Sequence, residues 1–198
     1  MAHYFDEKQN SELNLSKFEA ILRGKRFGFF SGSGIFSKDK VDRGTRILAE
    51  NMIIHPDDAV LDIGCGIGIL GITAAGITKN KVIMCDINKR AVDLAEKNIK
   101  LNNALNAEVL QGNLYEPINE KFDVIVSNPP MKAGCNICFG IIEKAKKFLS
   151  EGGSLQIVAM HNKGGRRLSE KMKEVFGNVE AVVKESGFRV YLSKTAKK

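Results

Sequence analysis

Apolar positions along this chain follow two rhythms. From Ala59 onward, short apolar runs of strand length take turns with longer stretches whose apolar residues recur at helical spacing. Ala59, Val60, Leu61 and Ile63 read as a buried strand with Asp62 set into it, and Gly64, Gly66 and Gly68 follow at alternate positions. Lys81 to Ile87, Ala107 to Gln111, Phe122 to Ser127 and Ser154 to Met160 continue the strands. Ile69 to Ile77, Lys89 to Leu101, Asn136 to Leu149 and Arg166 to Phe176 read as helices between and after them. Asn88 serves as an N-cap, Asp93–Lys97 and Glu96–Lys100 as helical charge pairs, and Gly152-Gly153 as a stop. Val179 to Lys184 and Phe188 to Ser193 flank Glu185-Ser186-Gly187, a connection short enough to demand an antiparallel hairpin. Ahead of Ala59, Leu15 to Leu22 shows a helical pattern and Lys25 to Gly32 a strand. Asp42 then caps a helix over Arg43 to Met52, with Ile47, Leu48 and Met52 inward.

Strand–helix alternation of this kind predicts an α/β fold. It is a doubly wound, Rossmann-like, mostly parallel seven-stranded sheet that ends in an antiparallel hairpin. Ligands of such sheets sit outside the carboxyl ends of the strands, so polar residues at those ends become candidates.

Composition narrows the class. The chain has 198 residues, 43% hydrophobic and 27% charged, which suits one soluble domain with a substantial core. No apolar run approaches the roughly 18 residues that would span a bilayer, and the N-terminal residues carry no signal pattern. A cytoplasmic protein without a membrane partner is expected, with the oligomeric state open and a monomer favoured. Four cysteines, Cys65, Cys85, Cys135 and Cys138, offer only Cys135-Asn-Ile-Cys138 at metal-like or redox-like spacing, without the second pair that zinc would want. They read as structural, and no metal is expected. The net charge of +7 is concentrated at the end: residues 161–198 hold ten Lys/Arg against four Asp/Glu. A basic end on a near-neutral body points to a polyanion such as RNA, with a merely solvated surface as the rival reading.

The candidate chemistry gathers at the strand ends. The glycines allow a tight turn and close approach of a ligand to the backbone, and the N–H groups of the following helical turn face it. Asp86 ends the second parallel strand, 18 residues after Gly68, where an acidic side chain can accept from two ribose hydroxyls at about 1.5–3 kcal/mol each. Asn113 follows the third strand, either as an adenine contact or as a turn residue. Gly66-Ile-Gly68-Ile-Leu-Gly71 also satisfies the dinucleotide fingerprint, so a nicotinamide-dependent oxidoreductase is a rival. Against it, Asp62 places a negative charge where a pyrophosphate would sit. That charge suits a cation, such as a sulfonium bearing an ammonium group. After the fourth strand, Asn128-Pro129-Pro130-Met131 forms a stiff acceptor pair. The Asn128 side chain and the Pro129 carbonyl can grip the two N–H groups of a planar exocyclic amine and aim its lone pair at a methyl group. Met131 would pack on the flat face of that substrate. Lys163, Arg166 and Arg167, after the fifth strand, could hold phosphates beside a flipped base, and Gly164-Gly165 lets that segment move. His161 is a surface histidine or a proton relay.

The stretches Leu61-Asp-Ile-Gly-Cys-Gly-Ile-Gly68, Cys85-Asp-Ile-Asn88 and Asn128-Pro-Pro-Met131 resemble the cofactor and catalytic motifs of class I S-adenosylmethionine-dependent methyltransferases. Gly34-Ile-Phe-Ser37 with Val41-Asp-Arg-Gly-Thr45 resembles more narrowly the methyltransferase small domain family, which includes rRNA guanine-N2 methyltransferases. The likeness spans about residues 20–195 and is greatest to the short stand-alone archaeal members. It implies S-adenosyl-L-methionine as cofactor, transfer to guanine N2, and ribosomal RNA or a ribosomal subunit as partner. It implies that Phe36 and Ser37 lie over the cofactor. With them the cofactor site comprises Asp62, Gly64, Cys65, Gly66, Gly68, Asp86, Ile87, Asn113, Leu114 and Asn128. Residues 1–40 are then a small extension packed on a methyltransferase domain of 41–198. The bacterial rRNA enzymes carry a further N-terminal domain, and phenylalanine where this chain has Met131. A glutamine-N5 protein methyltransferase is a rival within the class, although such enzymes usually place tyrosine there. An RNA-binding protein without turnover is a rival outside it.

Overall fold

The computed structural model describes residues 15–32, 40–131 and 134–196. The strands β3 (Val60–Ile63), β4 (Val82–Asp86), β5 (Ala107–Gln111), β6 (Phe122–Ser127), β7 (Leu149–Met160), β8 (Glu180–Glu185) and β9 (Phe188–Lys194) form one sheet. Its order is β5-β4-β3-β6-β7-β9-β8. β5 to β7 across that order are parallel, and β9 runs antiparallel to both neighbours, as the alternation and the short Glu185–Gly187 connection predict. The helices α1 (Arg43–Asn51), α2 (Ile69–Ala75), α3 (Lys89–Leu101), α4 (Cys135–Phe148) and α5 (Gly165–Phe176) cover the sheet. They divide the core into two layers. One contains Leu48, Met52, Leu70 and Leu94, the other Ile141, Ile142, Leu168 and Met172. Continuous apolar strands such as β3, fully buried throughout, are what a sheet covered on both faces requires.

Helix starts follow the expected caps. The Asp42 carboxylate accepts from the Gly44 and Thr45 N–H groups, and the Asn88 side chain from those of Arg90 and Ala91. The charge pairs on α3 differ from expectation. Asp93 pairs with Lys89, one turn earlier, in place of Lys97, and no Glu96–Lys100 pair forms. Exposed pairs of this kind contribute little, so the exchange costs the helix almost nothing.

The stretch Leu15 to Leu22, expected as a helix, is a strand. β1 (Leu15–Leu22) pairs antiparallel with β2 (Lys25–Gly32) across Arg23-Gly24. Both turn residues have positive φ, 50° and 74°, the geometry of a tight hairpin turn. Leu15, Phe18 and Leu22 suit helical spacing, but Phe18, Ala20 and Leu22 equally alternate. The latter pattern wins because β2 supplies the pairing partner and the apolar floor. The hairpin is clamped to α3 by two amides. Asn102 exchanges bonds with both backbone groups of Gly28, and Asn98 does the same with Phe30. Asn98, fully buried, also donates to the Ile67 carbonyl at 2.9 Å, so one side chain joins the hairpin to the glycine loop.

α4 ends at Phe148, before Gly152-Gly153 is reached. Leu149 turns into extended conformation and pairs with Phe122, which lengthens β7 backwards through an irregular register. Gly152, at φ +74°, makes the bulge that brings Ser154 into line with Val124.

Candidate active site

The order of the sheet reverses between β3 and β6. The chain moves outward from β3 to β4 and β5, then returns to β6 on the other side of β3. The carboxyl ends of these two neighbours therefore border a crevice, the usual ligand position of an open α/β sheet. The pairing of Asp62 with Val126 sets the glycine loop beside Asn128. The Ser127 hydroxyl donates to the Ile63 carbonyl at 2.8 Å and ties the two strand ends together.

Gly64, Gly66 and Gly68 all have positive φ, and this is where their lack of a side chain is needed. Gly68 begins α2, and Gly71 lets β4 approach: a Cβ there would lie 2.3 Å from the Met84 side chain. The loop N–H groups are largely turned onto the protein itself. Gly66 N–H donates to Asp86 Oδ2 at 2.8 Å, and Gly71 N–H to Asp62 Oδ2 at 2.9 Å. Gly64 and Cys65 N–H groups both reach the Cys85 carbonyl. Of the N–H groups in the first turn of α2 expected to face a ligand, that of Gly71 is taken by Asp62. Two carboxylates occupy donors that a pyrophosphate would need, and they leave the loop negative.

Asp62 is fully buried, and its Oδ1 makes no hydrogen bond. Burial raises its pKa from 3.8 to about 7; the Gly71 N–H opposes that rise and the Asp86 charge adds to it. A carboxyl that half-ionises near neutrality, with an orphaned oxygen, suits a cationic group at this loop. Asp86 accepts from the Gly66 N–H at 2.8 Å and from the Asn88 N–H at 2.9 Å. Burial, then the Asp86 and Asp62 charges, pushes the Cys65 thiol well up, and the same causes push Cys85 to about 12, so neither is a nucleophile at neutral pH.

The Asn128 amide is held by the start of α1. Its Nδ2 donates to Thr45 Oγ1 at 2.9 Å and to Asp42 Oδ1 at 3.3 Å. An ionised carboxylate only accepts, so the amide edge facing Asp42 must be the NH2. The amide oxygen consequently faces away from α1, available to a donor. Asp42 and Thr45 both belong to the Val41-Asp-Arg-Gly-Thr45 motif, which is the sequence signal for their place at the site. Thr45→Val, which keeps the shape and deletes the acceptor, should lower turnover about tenfold, the worth of roughly one hydrogen bond. Cofactor affinity should stay unchanged and Thr45→Ser should restore the rate. Steady-state kinetics with separate kcat and KM checks this.

The remaining candidates divide. Met131 lies against α4 and the turn after β7: its sulfur is 3.9 Å from Cys138 Sγ, and a Cβ on Gly164 would meet its methyl at 2.4 Å. Pro129 is buried and Pro130 partly so, consistent with a stiff support. Burial, and secondarily Cys135, raises the Cys138 thiol to about 11. Among the described residues no three His, Cys, Asp or Glu side chains are grouped as a metal would need. Asn113 is exposed and bonds within its turn to Glu116 at 3.4 Å. Leu114, at φ +56°, sends its side chain against Gly140 of α4. Ile87 is half-buried just beyond β4. Lys163 is exposed in a single helical turn, His161–Lys163, at the end of β7. Arg166 pairs with Glu170, and Arg167 lies over the Phe139 ring, both exposed on the first turn of α5. His161 Nδ1 is 2.7 Å from the buried Tyr191 hydroxyl, which argues for an anchoring role over a proton relay. Phe36 and Ser37 fall outside the described residues. Phe188, which no pattern marked, stands next to Asn128 across Gly44.

Known proteins bear on this site. The family model described as "Methyltransferase small domain" matches residues 26–192. Bacillus subtilis YbxB is 35% identical over 196 residues, covering 97% of this chain and 98% of that protein. The ribosomal RNA small subunit methyltransferase C of Cronobacter sakazakii is 32% identical over 163 residues, 80% of this chain and 46% of its own length. This chain thus spans about half of the rRNA methyltransferase relatives that it matches. Among solved structures, the Thermus thermophilus 16S rRNA N2 methyltransferase in complex with AdoMet and guanosine superposes with TM-score 0.81 at 23% identity, over 95% of this chain and 52% of that one. That last likeness establishes the fold alone. The family match extends from β2 to β9 and takes in both strand ends of the crevice, and on that ground the chain belongs to the methyltransferase small domain family.

Proposed function

We propose that this chain is an S-adenosylmethionine-dependent methyltransferase that modifies an exocyclic amine, guanine N2 of ribosomal RNA. The observation that carries the reading is the pair of carboxylates under the glycine loop. Asp62 and Asp86 take up the Gly71 and Gly66 N–H groups, which favours a cationic ligand over a dinucleotide. The rRNA methyltransferase relatives and the basic end of the chain support the choice of substrate.

Bound at the crevice, S-adenosylmethionine supplies an electrophilic methyl group on a positive sulfur. Asp62 provides the opposing charge, and Asp86, at the carboxyl end of β4, accepts from the ribose hydroxyls. Phe36, Ser37, Gly64, Cys65, Gly68, Ile87 and Leu114 complete that contact, and Asn113 reaches the adenine edge if its turn opens. On the other side, Asn128 Oδ1 and the Pro129 carbonyl accept the two N–H groups of the target amine. That grip orients the nitrogen lone pair toward the methyl. The cofactor would give up its methyl group with the S–C electron pair returning to sulfur, and the amine nitrogen, held by Asn128 and Pro129, would release its proton to water. No strong base is needed, because positioning supplies most of the acceleration. Met131 packs on the flat face of the base, and Lys163, Arg166 and Arg167 receive neighbouring phosphates.

Calorimetric titration with S-adenosylhomocysteine and with NADH tests the cofactor assignment. Binding of S-adenosylhomocysteine at low micromolar concentration, with none of NADH, is expected. The opposite preference would make the chain a dinucleotide protein.

A further inference from the structure

The tip of the β8–β9 hairpin borders a second concavity. An open cleft of about 260 Å³ lies between His161 and Asn162 on one wall and Lys184, Glu185, Phe188 and Arg189 on the other. The tip is anchored from two sides. His161 N–H donates to the Gly187 carbonyl at 2.9 Å, and the Arg43 guanidinium donates to the Ser186 hydroxyl. The cleft adjoins the reaction centre. A Cβ placed on Gly44 would lie 3.1 Å from the Phe188 ring and 3.4 Å from Asn128 Nδ2, so the two side chains flank a single glycine.

The chemistry of the walls is that of a nucleotide site. Phe188 offers a ring, Lys184 and Arg189 offer positive charge, Asn162 an amide, and Glu185 alone opposes an anion from the same wall. The potential is felt by His161. Partial desolvation, then the charges of Arg189, Arg166 and Lys184, hold its imidazole below the ordinary range. Such a cleft has no dry apolar wall for a small lipophilic ligand. A base on the ring with its phosphate on the cations uses every feature except Glu185. Because Phe188 of that wall stands beside Asn128, an occupant of the cleft lies next to the substrate. Resting on the RNA reading above, we propose that this cleft binds a nucleotide adjacent to the target in the RNA strand, with Lys184 and Arg189 on its phosphate.

The full chain carrying Lys184→Gln with Arg189→Gln, and separately Glu185→Gln, tests this with naked ribosomal RNA and a short single-stranded RNA as probes. The double variant should bind RNA at least about fivefold more weakly. Its salt dependence should fall by about 0.7, the value for one single-strand phosphate contact. Glu185→Gln, on the exposed tip, should bind RNA about twofold more tightly. Both should bind S-adenosylhomocysteine as the parent does. Unchanged RNA affinity and salt slope in both variants would overturn the proposal. A loss confined to binding of a polyglutamate peptide, with RNA binding intact, would overturn it too and assign the cleft to a protein. Failure of the RNA reading itself is separate, since it would leave the parent chain unable to label any RNA.

Discussion

Asn128→Ala is expected to abolish methyl transfer, by at least about 100-fold in kcat, while S-adenosylhomocysteine binds as before. The magnitude follows from losing a preorganised polar partner of the reacting atom, an effect on the order of 100- to 1000-fold where it has been isolated. In this chain the preorganisation is visible. Thr45 and Asp42 hold the amide nitrogen, Asp42 is itself held by the first turn of α1, and Ser127 fixes the strand end from which Asn128 projects. The replacement removes one acceptor and leaves Gly66, Asp62 and Asp86 untouched, so the donor site survives. Single-turnover kinetics beside a calorimetric titration checks both halves. A rate within about threefold of the parent would refute the role given to the Asn-Pro-Pro-Met stretch.

Asp62→Asn should trade cofactor affinity for stability. A carboxyl whose pKa rises from 3.8 unfolded to about 7 folded binds its proton more tightly in the folded chain. Its contribution is therefore most favourable at low pH. It declines as pH climbs through that window and is constant above it. The whole decline amounts to about 4 kcal/mol at roughly 1.4 kcal/mol for each pH unit. Asparagine has no charge to bury, so at pH 8 the variant should melt several degrees above the parent, and at pH 5 the difference should shrink. The charge is what the donor needs. The variant should bind S-adenosylmethionine at least about tenfold more weakly, and parental affinity should rise from pH 6 to pH 8 as Asp62 ionises. Equal affinity in parent and variant at pH 8 would remove Asp62 from the account of the cofactor.

The sheet was legible from the sequence because its strands are buried on both faces and interrupted by capped helices. Val60 to Ile63 and Phe122 to Ser127 leave no other reading, and Asp42 and Asn88 announce the helices that follow them. Leu15 to Leu22 was not legible, because its partner strand decides between two compatible patterns. The start of β7 at Leu149, ahead of the expected Ser154, was not legible because Leu149 is drawn into pairing with Phe122, a contact across 27 positions that no local signal marks. At the site, the acids and glycines were readable by type and spacing. Their partners were not: that Asp86 holds Gly66, or that Thr45 holds Asn128 from 83 positions away, depends on register between distant elements. Arg166 and Arg167 are legible from charge and from their place after the fifth strand, whereas Lys184 and Arg189 line the cleft at the hairpin tip only through the pairing of β8 with β9.

The most direct measurement is nucleoside-resolved analysis of the methylated product. The chain is incubated with methyl-labelled S-adenosylmethionine and naked ribosomal RNA, ribosomal subunits or protein substrates, and the RNA is digested to nucleosides. Transfer to guanine N2 puts label in N2-methylguanosine, and none with Asn128→Ala. Label in another nucleoside, or in a glutamine side chain of protein, would contradict it.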